Sequence, residues 1–323
     1  MVADPDPAHQ DPQLLGASLA PVLIEQTDGR LSDLAWFRST WQHGGASTAL
    51  AKWRFEDGRE GEALVKLPVG PTEWRWSTRL GSWERWVEPC TLPVPRVLAA
   101  GEHLGSYDLM WLVVERLKGS GQGFDETAAV RLLTSVARLQ GMAEEACVEG
   151  EAPATEWGRL LAKAREDLRK FEVPEAQRWN EALKHVQKQI VRLDAMWRSR
   201  PCNSWCHGDV HPGNVMRREG SEDSVLIDLA LVHRGHWVED AVYLERQFWG
   251  REERLGGVKP VRALAKIRRE LGLSSADHYA EVADLRRILM AATTPAFLLQ
   301  EGHPKHLHAA LEKVEALLPR VLG

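Results

Sequence analysis

Cys206-His207-Gly208-Asp209-Val210-His211-Pro212-Gly213-Asn214, followed by Ser224-Val225-Leu226-Ile227-Asp228, is the stretch on which the reading of this 323-residue chain turns. The first piece holds a His-x-Asp triplet and an Asn five residues after the Asp. Pro212 and Gly213 exclude a continuous helix and suit a loop that bends between Asp209 and Asn214. The second piece is an apolar strand ending on a carboxylate. Residues 217–223 are a polar turn, so two short strands can pair across it and bring Asp228 back beside Asn214. This set of side chains suits phosphoryl transfer. One Asp must accept a proton from an attacking hydroxyl, while an Asn and a second Asp offer Mg²⁺ the hard oxygens it prefers. By chance the eight-residue spacing arises in roughly one such chain in two hundred. A capping Asp at a strand end accounts for Asp228 but leaves the rest of the pattern unexplained.

Upstream, residues 46–55 and 62–67 read as strands around Glu56-Asp57-Gly58-Arg59, a hairpin turn signal. Lys66 ends the second of them. A helix is expected over 72–87, stopped by Pro89. Leu92-Pro93-Val94-Pro95 is extended because proline disfavours helix before it, and 109–117 is a short apolar strand. Gly119, Gly121 and Gly123 then punctuate the chain, and beyond them helices are expected at 125–142, 156–170, 260–271, 276–292 and 304–318. The clearest helix follows Pro174. There Trp179, Leu183, Val186, Ile190, Leu193 and Trp197 recur at steps of four and three, a single core stripe. The expectation is an α+β chain in two lobes: a tail at 1–12, a β-rich lobe at 13–117 and a larger, mostly helical lobe at 118–323. A cleft between them is the natural ligand site.

The decisive segment resembles the aminoglycoside phosphotransferase and choline kinase-like family, with its H-G-D-x-H-x-x-N loop and following I-D strand. Leu92-Pro93-Val94-Pro95-Arg96-Val97-Leu98 and Val114-Glu115-Arg116-Leu117-Lys118-Gly119 resemble that family's link and hinge, and the likeness runs through most of 40–245. It implies a protein-kinase-like fold and ATP- and Mg²⁺-dependent transfer of a γ-phosphate to a hydroxyl of a small molecule such as an aminoglycoside, amino alcohol or sugar. Asp209 is then the base, with Asn214 and Asp228 as Mg²⁺ ligands. Lys66 would reach the α/β-phosphates. Its acidic partner is expected to be Glu84, chosen over Glu73 and Glu88 by spacing. Gly44, Gly45 and Ser47, in His43-Gly44-Gly45-Ala46-Ser47-Thr48, would bring backbone N–H groups to phosphate. A plain turn accounts for that loop equally well. Glu115 and Leu117 would offer backbone groups to adenine. Asp228 is followed by Leu229 and Ala230 where a regulated protein kinase has Phe-Gly, and no A-P-E follows, which favours a small acceptor. Asp240 is either a structural carboxylate near the loop or an exposed acid. Glu239, Asp240 and Glu245 would suit a cationic substrate, or merely a solvated helix.

Composition narrows the alternatives. A net charge of −5 without a long basic run argues against nucleic acid as partner. No stretch is apolar for long enough to span a bilayer. Neither a secretory signal nor a cysteine framework is visible, so a cytoplasmic setting with reduced Cys90, Cys147, Cys202 and Cys206 is expected. Cys202, Cys206, His207 and His211 could suggest zinc, but their spacing fits no common site. Gly119-Ser120-Gly121-Gln122-Gly123 has the wrong interval for a dinucleotide loop, and no P-loop occurs. The 14 Trp read as packing, with a stacking surface for a cationic ligand as the alternative. The rival in function is a nucleotide-binding scaffold without catalysis, against which Lys66, Asp209, Asn214 and Asp228 stand together.

Overall fold

Alternating small apolar and polar residues over Glu60–Leu67 demand a strand with one face in a core, and that strand is the centre of a five-stranded sheet. The structure, a computed structural model, describes residues 12–37, 47–86, 90–119, 124–146, 152–275 and 278–323. In it β1 (Leu31–Phe37), β2 (Ser47–Arg54), β3 (Glu60–Leu67), β4 (Val97–Gly101) and β5 (Trp111–Glu115) lie in the order β1-β2-β3-β5-β4, every pair antiparallel. Gly58, at φ 82°, supplies the left-handed residue of the β2–β3 turn. Ala63, Val65 and Leu67 are buried on one face against Leu19 and Leu23 of α1 (Pro12–Gln26). The opposite face carries Leu64 and, two residues on, Lys66; there Val69, Leu112 and Val114 pack with Trp74 of α2 (Pro71–Gly81).

The helix expected over 72–87 stops earlier. A β-carbon at Gly81 would lie 2.2 Å from the Pro95 carbonyl oxygen, so the helix ends against the proline-rich link. A 3₁₀ turn, Trp83–Arg85, takes its place.

The chain divides into two compact units. One is Met1–Gly121 with Met216–Val232; the other is Gln122–Val215 with His233–Gly323. The boundary expected after residue 117 assigned everything beyond it to the helical lobe, yet Met216–Val232 belongs with the front unit. Here β6 (Lys118–Gly119), β8 (Val215–Arg217) and β9 (Ser224–Leu226) form a small sheet in that order. Buried Arg218 holds it down, donating to the carbonyls of Leu92 and Val94 at 2.7 Å each and to the Glu115 carboxylate at 2.9 Å. The Leu226 N–H adds a bond to Pro93 O at 2.7 Å.

The second unit holds α3 (Glu126–Glu145), α4 (Trp157–Lys170), α5 (Ala176–Arg198), α6 (Val238–Gln247), α7 (Pro260–Glu270), α8 (Tyr279–Thr293), α9 (Leu298–Glu301) and α10 (Pro304–Leu322). It also has the two-stranded pair β7 (Ser204–Cys206) and β10 (His233–Gly235). The α5 stripe is core: Trp179, Leu183, Val186, Leu193 and Trp197 are buried. Trp197 packs against the chain's own arginines, with Arg200 lying 3.7 Å from its ring centroid and Arg286 4.9 Å from it. Among the described residues no helix is long and apolar enough to cross a membrane.

Candidate active site

In the helical unit the loop after β7 is built around a buried carboxylate. Asp240, in the first turn of α6, accepts the backbone N–H of His207 at 3.0 Å and that of Gly208 at 2.9 Å. It also accepts Gln140 Nε2 at 3.0 Å, and Gln140 Oε1 in turn takes Arg268 Nη1 at 2.6 Å. Burial pushes the Asp240 carboxyl up, and the two backbone donors oppose that shift. Gly208 lies at φ 86°, a conformation in which a side chain is strained, so the glycine of His-Gly-Asp follows from the turn itself. Of the two sequence readings of Asp240, the structural one holds.

The turn delivers Asp209 to a small cluster. Asn214 Nδ2 donates to Asp209 Oδ2 at 2.9 Å and to its carbonyl at 3.0 Å. His211 Nδ1 accepts the Gly213 N–H at 3.0 Å and so caps the 3₁₀ turn Pro212–Asn214. The other ring nitrogen, Nε2, lies 3.5 Å from Asp209 Oδ2. A β-carbon at Gly213 would meet that ring at 2.7 Å. Tyr243 of α6 also bonds the Asp209 carboxylate. Burial alone would raise Asp209, but the bonds from His211, Tyr243 and Asn214 prevail and bring it from 3.8 to about 2. Asp209 is thus a fixed, fully ionised acceptor at neutral pH. With Nδ2 committed to Asp209, the oxygen of the Asn214 amide is the atom suited to a hard cation.

A second buried network backs the loop. Arg200 and Glu239 pair at 2.8 Å, each 4% exposed, and Glu239 also accepts the His236 N–H at 2.9 Å. Glu245 is held by Arg287 at 2.8 Å. The three acids expected to suit a cationic substrate, Glu239, Asp240 and Glu245, are therefore occupied within the fold, and neither Glu239 nor Asp240 lies on a solvated face. Among the described residues Cys206, His233 and Glu239 alone form a His/Cys/acid group close enough to share a metal. Burial keeps the Cys206 thiol protonated, and its Sγ donates to His236 O at 3.3 Å. With Arg200 already on Glu239, this is an ion-pair network. The zinc set of Cys202, Cys206, His207 and His211 does not assemble. No disulfide joins the three described cysteines.

This network sets an acid limit on stability. Burial lowers His236 from 6.5 to about 4. The folded chain binds that proton less readily than the unfolded one, so stability is full above pH 6.5 and falls as pH drops toward 4. Burial would raise Glu239, but His233, Arg286 and Arg200 outweigh it and take it from 4.5 to about 2, so its contribution is lost below pH 4.5. The His236 step should cost on the order of 3 kcal/mol. Urea unfolding midpoints from pH 7.5 to 4.5 should show it in the native chain and show it flattened in His236→Gln.

The front unit has its own polar pair. Strand parity puts Lys66 on the α2-covered face, and Lys66 Nζ bonds Glu73 in the first turn of α2, both side chains largely buried. Glu84, the expected partner, is a correction: it sits exposed in the 3₁₀ turn beyond the end of α2. Acids are favoured in a first helical turn, and Pro71 opening the helix marks where that turn lies, a signal that spacing alone passed over. Glu115 closes β5. Its carboxylate takes the Arg96 N–H at 2.8 Å, and its own N–H goes to Arg96 O. Leu117 is buried. Asp228 has φ 62° and ψ 72°, a left-handed backbone uncommon outside glycine, asparagine and aspartate. Ser47 is buried at the start of β2, paired with Leu67. Gly44 and Gly45 lie outside the described residues. Lys66, Glu73, Glu115 and Asp228 thus belong to one unit, Asp209 and Asn214 to the other.

A family model described as the phosphotransferase enzyme family matches residues 42–285, well over half of the 323-residue chain. No curated protein matches the chain's sequence. Among solved structures, a thermostable mutant of aminoglycoside phosphotransferase APH(4)-Ia with ADP and hygromycin B is similar at TM-score 0.51 and 15% identity, covering 95% of this chain and 99% of that one. A choline/ethanolamine kinase family protein from Mesorhizobium loti is similar at TM-score 0.54 and 12% identity, covering 94% and 95%. The GDP complex of wild-type aminoglycoside 2'-phosphotransferase-IIIa is similar at 0.50 and 14%, covering 94% and 98%. At such identities these likenesses establish the fold, the two-lobed α+β class expected from the sequence.

Proposed function

The chain belongs to the phosphotransferase enzyme family, and from that premise we propose that it transfers the γ-phosphate of ATP to a hydroxyl of a small molecule, with Asp209 taking the hydroxyl's proton. The acceptor oxygen–phosphorus bond forms as the bond from Pγ to the β,γ-bridging oxygen breaks, and ADP leaves. The observation that carries this reading is the Asp209 cluster: an ionised carboxylate fixed by Asn214, His211 and Tyr243 on a loop capped by Asp240. A carboxylate held near 2 is a weak base. It suits a loose transition state, in which orienting the hydroxyl matters more than early proton removal.

The donor set fits Mg²⁺, since Asn214 and Asp228 both offer hard oxygens. Bound there, Mg²⁺ would neutralise charge on the phosphates. Lys66, steadied by Glu73, is the proposed contact to the α/β-phosphates. The Glu115 carbonyl and the Leu117 N–H are proposed for adenine, because the N–H groups of Glu115 and Arg116 are spent on Arg96 O and Glu62 O. ATP as donor accords with the expected cytoplasmic setting.

An acceptor screen read by ADP release tests the function. Acceptor-stimulated release is expected; slow nucleotide turnover that no acceptor accelerates would favour the non-catalytic scaffold. The assignment of the lysine's partner has a separate test. Glu73→Gln should lower kcat/KM for ATP by at least about tenfold, because an unsteadied Lys66 loses its aim. Glu84→Gln should leave it unchanged.

A further inference from the structure

Within the helical unit, at the end of α6 that follows Tyr243, a cavity of about 230 Å³ is lined by Arg246, Arg251, His303, His306 and Glu301. We propose that this cavity seats an anionic group, a carboxylate or a phosphate, carried by the phosphoryl acceptor. The inference rests on the phosphotransferase reading and narrows its substrate class to hydroxylated anions.

Location comes first. Tyr243, which bonds Asp209, precedes Arg246 on α6 by three residues, an axial rise of roughly 4.5 Å. The charges of Arg246 and Glu301 both act on the Tyr243 hydroxyl. A molecule with its hydroxyl at Asp209 and a charged end one helical turn away would reach the cavity.

The lining chemistry comes next. Two arginines face a single carboxylate, an excess of one positive charge before either histidine is counted. Arg246 is only 8% exposed and bonds Glu301 through Nη2, while its buried Nε has no hydrogen-bond partner. The buried His306 Nε2 likewise has none, lying 3.6 Å from Glu301 Oε2. Arg251 is exposed and has no carboxylate partner among the described residues. Unmatched donors around one shared acid are an arrangement that an oxyanion completes and an ammonium group opposes. The wall is tightly built: a β-carbon on Gly250 would come within 2.8 Å of the His306 backbone nitrogen. Since Glu239, Asp240 and Glu245 are occupied within the fold, the acids once expected to greet a polycation are not free to do so.

The test has two arms. Inorganic phosphate is titrated by ³¹P NMR onto enzyme saturated with Mg²⁺ and a non-hydrolysable ATP analogue, so that the nucleotide's own phosphate sites are filled. Saturable binding is expected in the native chain and should weaken about tenfold in Arg251→Gln, an exposed position where folding is not at stake. Arg246→Gln should weaken it further if it folds. Absence of saturable binding, or binding indifferent to Arg251→Gln, overturns the proposal. The second arm compares ADP release with D-glucuronate, D-glucose 6-phosphate, D-glucose and D-glucosamine. Preference for an anionic member, lost in Arg251→Gln with the nucleotide KM unchanged, supports the seat and tells carboxylate from phosphate. Preference for the amine overturns it while leaving the phosphotransferase reading intact. No transfer to any acceptor counts against that reading, and the phosphate titration still decides the anion seat on its own.

Discussion

Asp209→Asn should lower kcat by about 10²–10⁴-fold while leaving the nucleotide KM and the unfolding midpoint close to those of the native enzyme. The amide keeps the shape of the carboxylate and can still accept from Asn214 and Tyr243 through its remaining oxygen, so the loop should stay in place. What it loses is the negative charge and the site for the acceptor's proton. The loss should therefore fall on turnover. Because the Asp209 carboxyl is held at about 2, the native enzyme should show no loss of activity from its protonation anywhere above pH 4. Measured rates of acceptor phosphorylation from pH 5 to 9 check both statements. Native-like turnover in the variant would remove Asp209 from the chemistry.

Asp240→Ala should be worse for the protein as a whole. The substitution removes a shared acceptor from three donors at once: the N–H groups of His207 and Gly208, and Gln140 Nε2, which keeps only the Trp237 carbonyl at 3.3 Å. Each orphaned donor costs about 1–3 kcal/mol. Their shared location makes the costs less than additive, and a net loss of about 3–5 kcal/mol is expected, as for the breaking of other buried charged networks. Activity should disappear with it, because Gly208 needs its positive φ to present Asp209. Asp240→Asn keeps one acceptor and should recover part of the stability. Urea unfolding followed alongside turnover separates the two effects. A variant that keeps native stability would show that the carboxylate does not organise the loop.

These two residues also mark what the sequence could and could not reveal. The Asp209–Asn214 contact was legible because loop chemistry fixes both residue type and interval: an acid, a proline–glycine bend, then an amide. The β2–β3 hairpin and the α5 stripe were legible from periodicity and turn residues. α6 was not. Its first turns bury Glu239 and Asp240 together with Val238, Ala241 and Val242, so no polar face alternates with an apolar one, and its N-terminus has no side-chain cap. Missing the helix meant missing Tyr243, which stands three residues beyond Asp240 and so turns back toward the loop that Asp240 caps. Gln140 and Arg268 were hidden for a different reason, because their partners lie far away in sequence. Glu73 was within reach, since Pro71 marks the first turn of α2, but interval alone favoured Glu84. Arg218 reads as one more charge in a polar turn, although it fastens Met216–Val232 to the front unit.

The proposed roles of Asn214 and Asp228 as Mg²⁺ ligands are most directly tested by Mn²⁺ binding, followed by electron paramagnetic resonance in the presence of ADP, in Asn214→Ala, Asp228→Ala and the double variant. If both side chains hold one ion, each single change should weaken Mn²⁺ by at least about tenfold, and the double change should cost clearly less than the sum of the two free energies. Strictly additive losses, or an ion indifferent to either side chain, would mean that the amide and the carboxylate do not meet at one site.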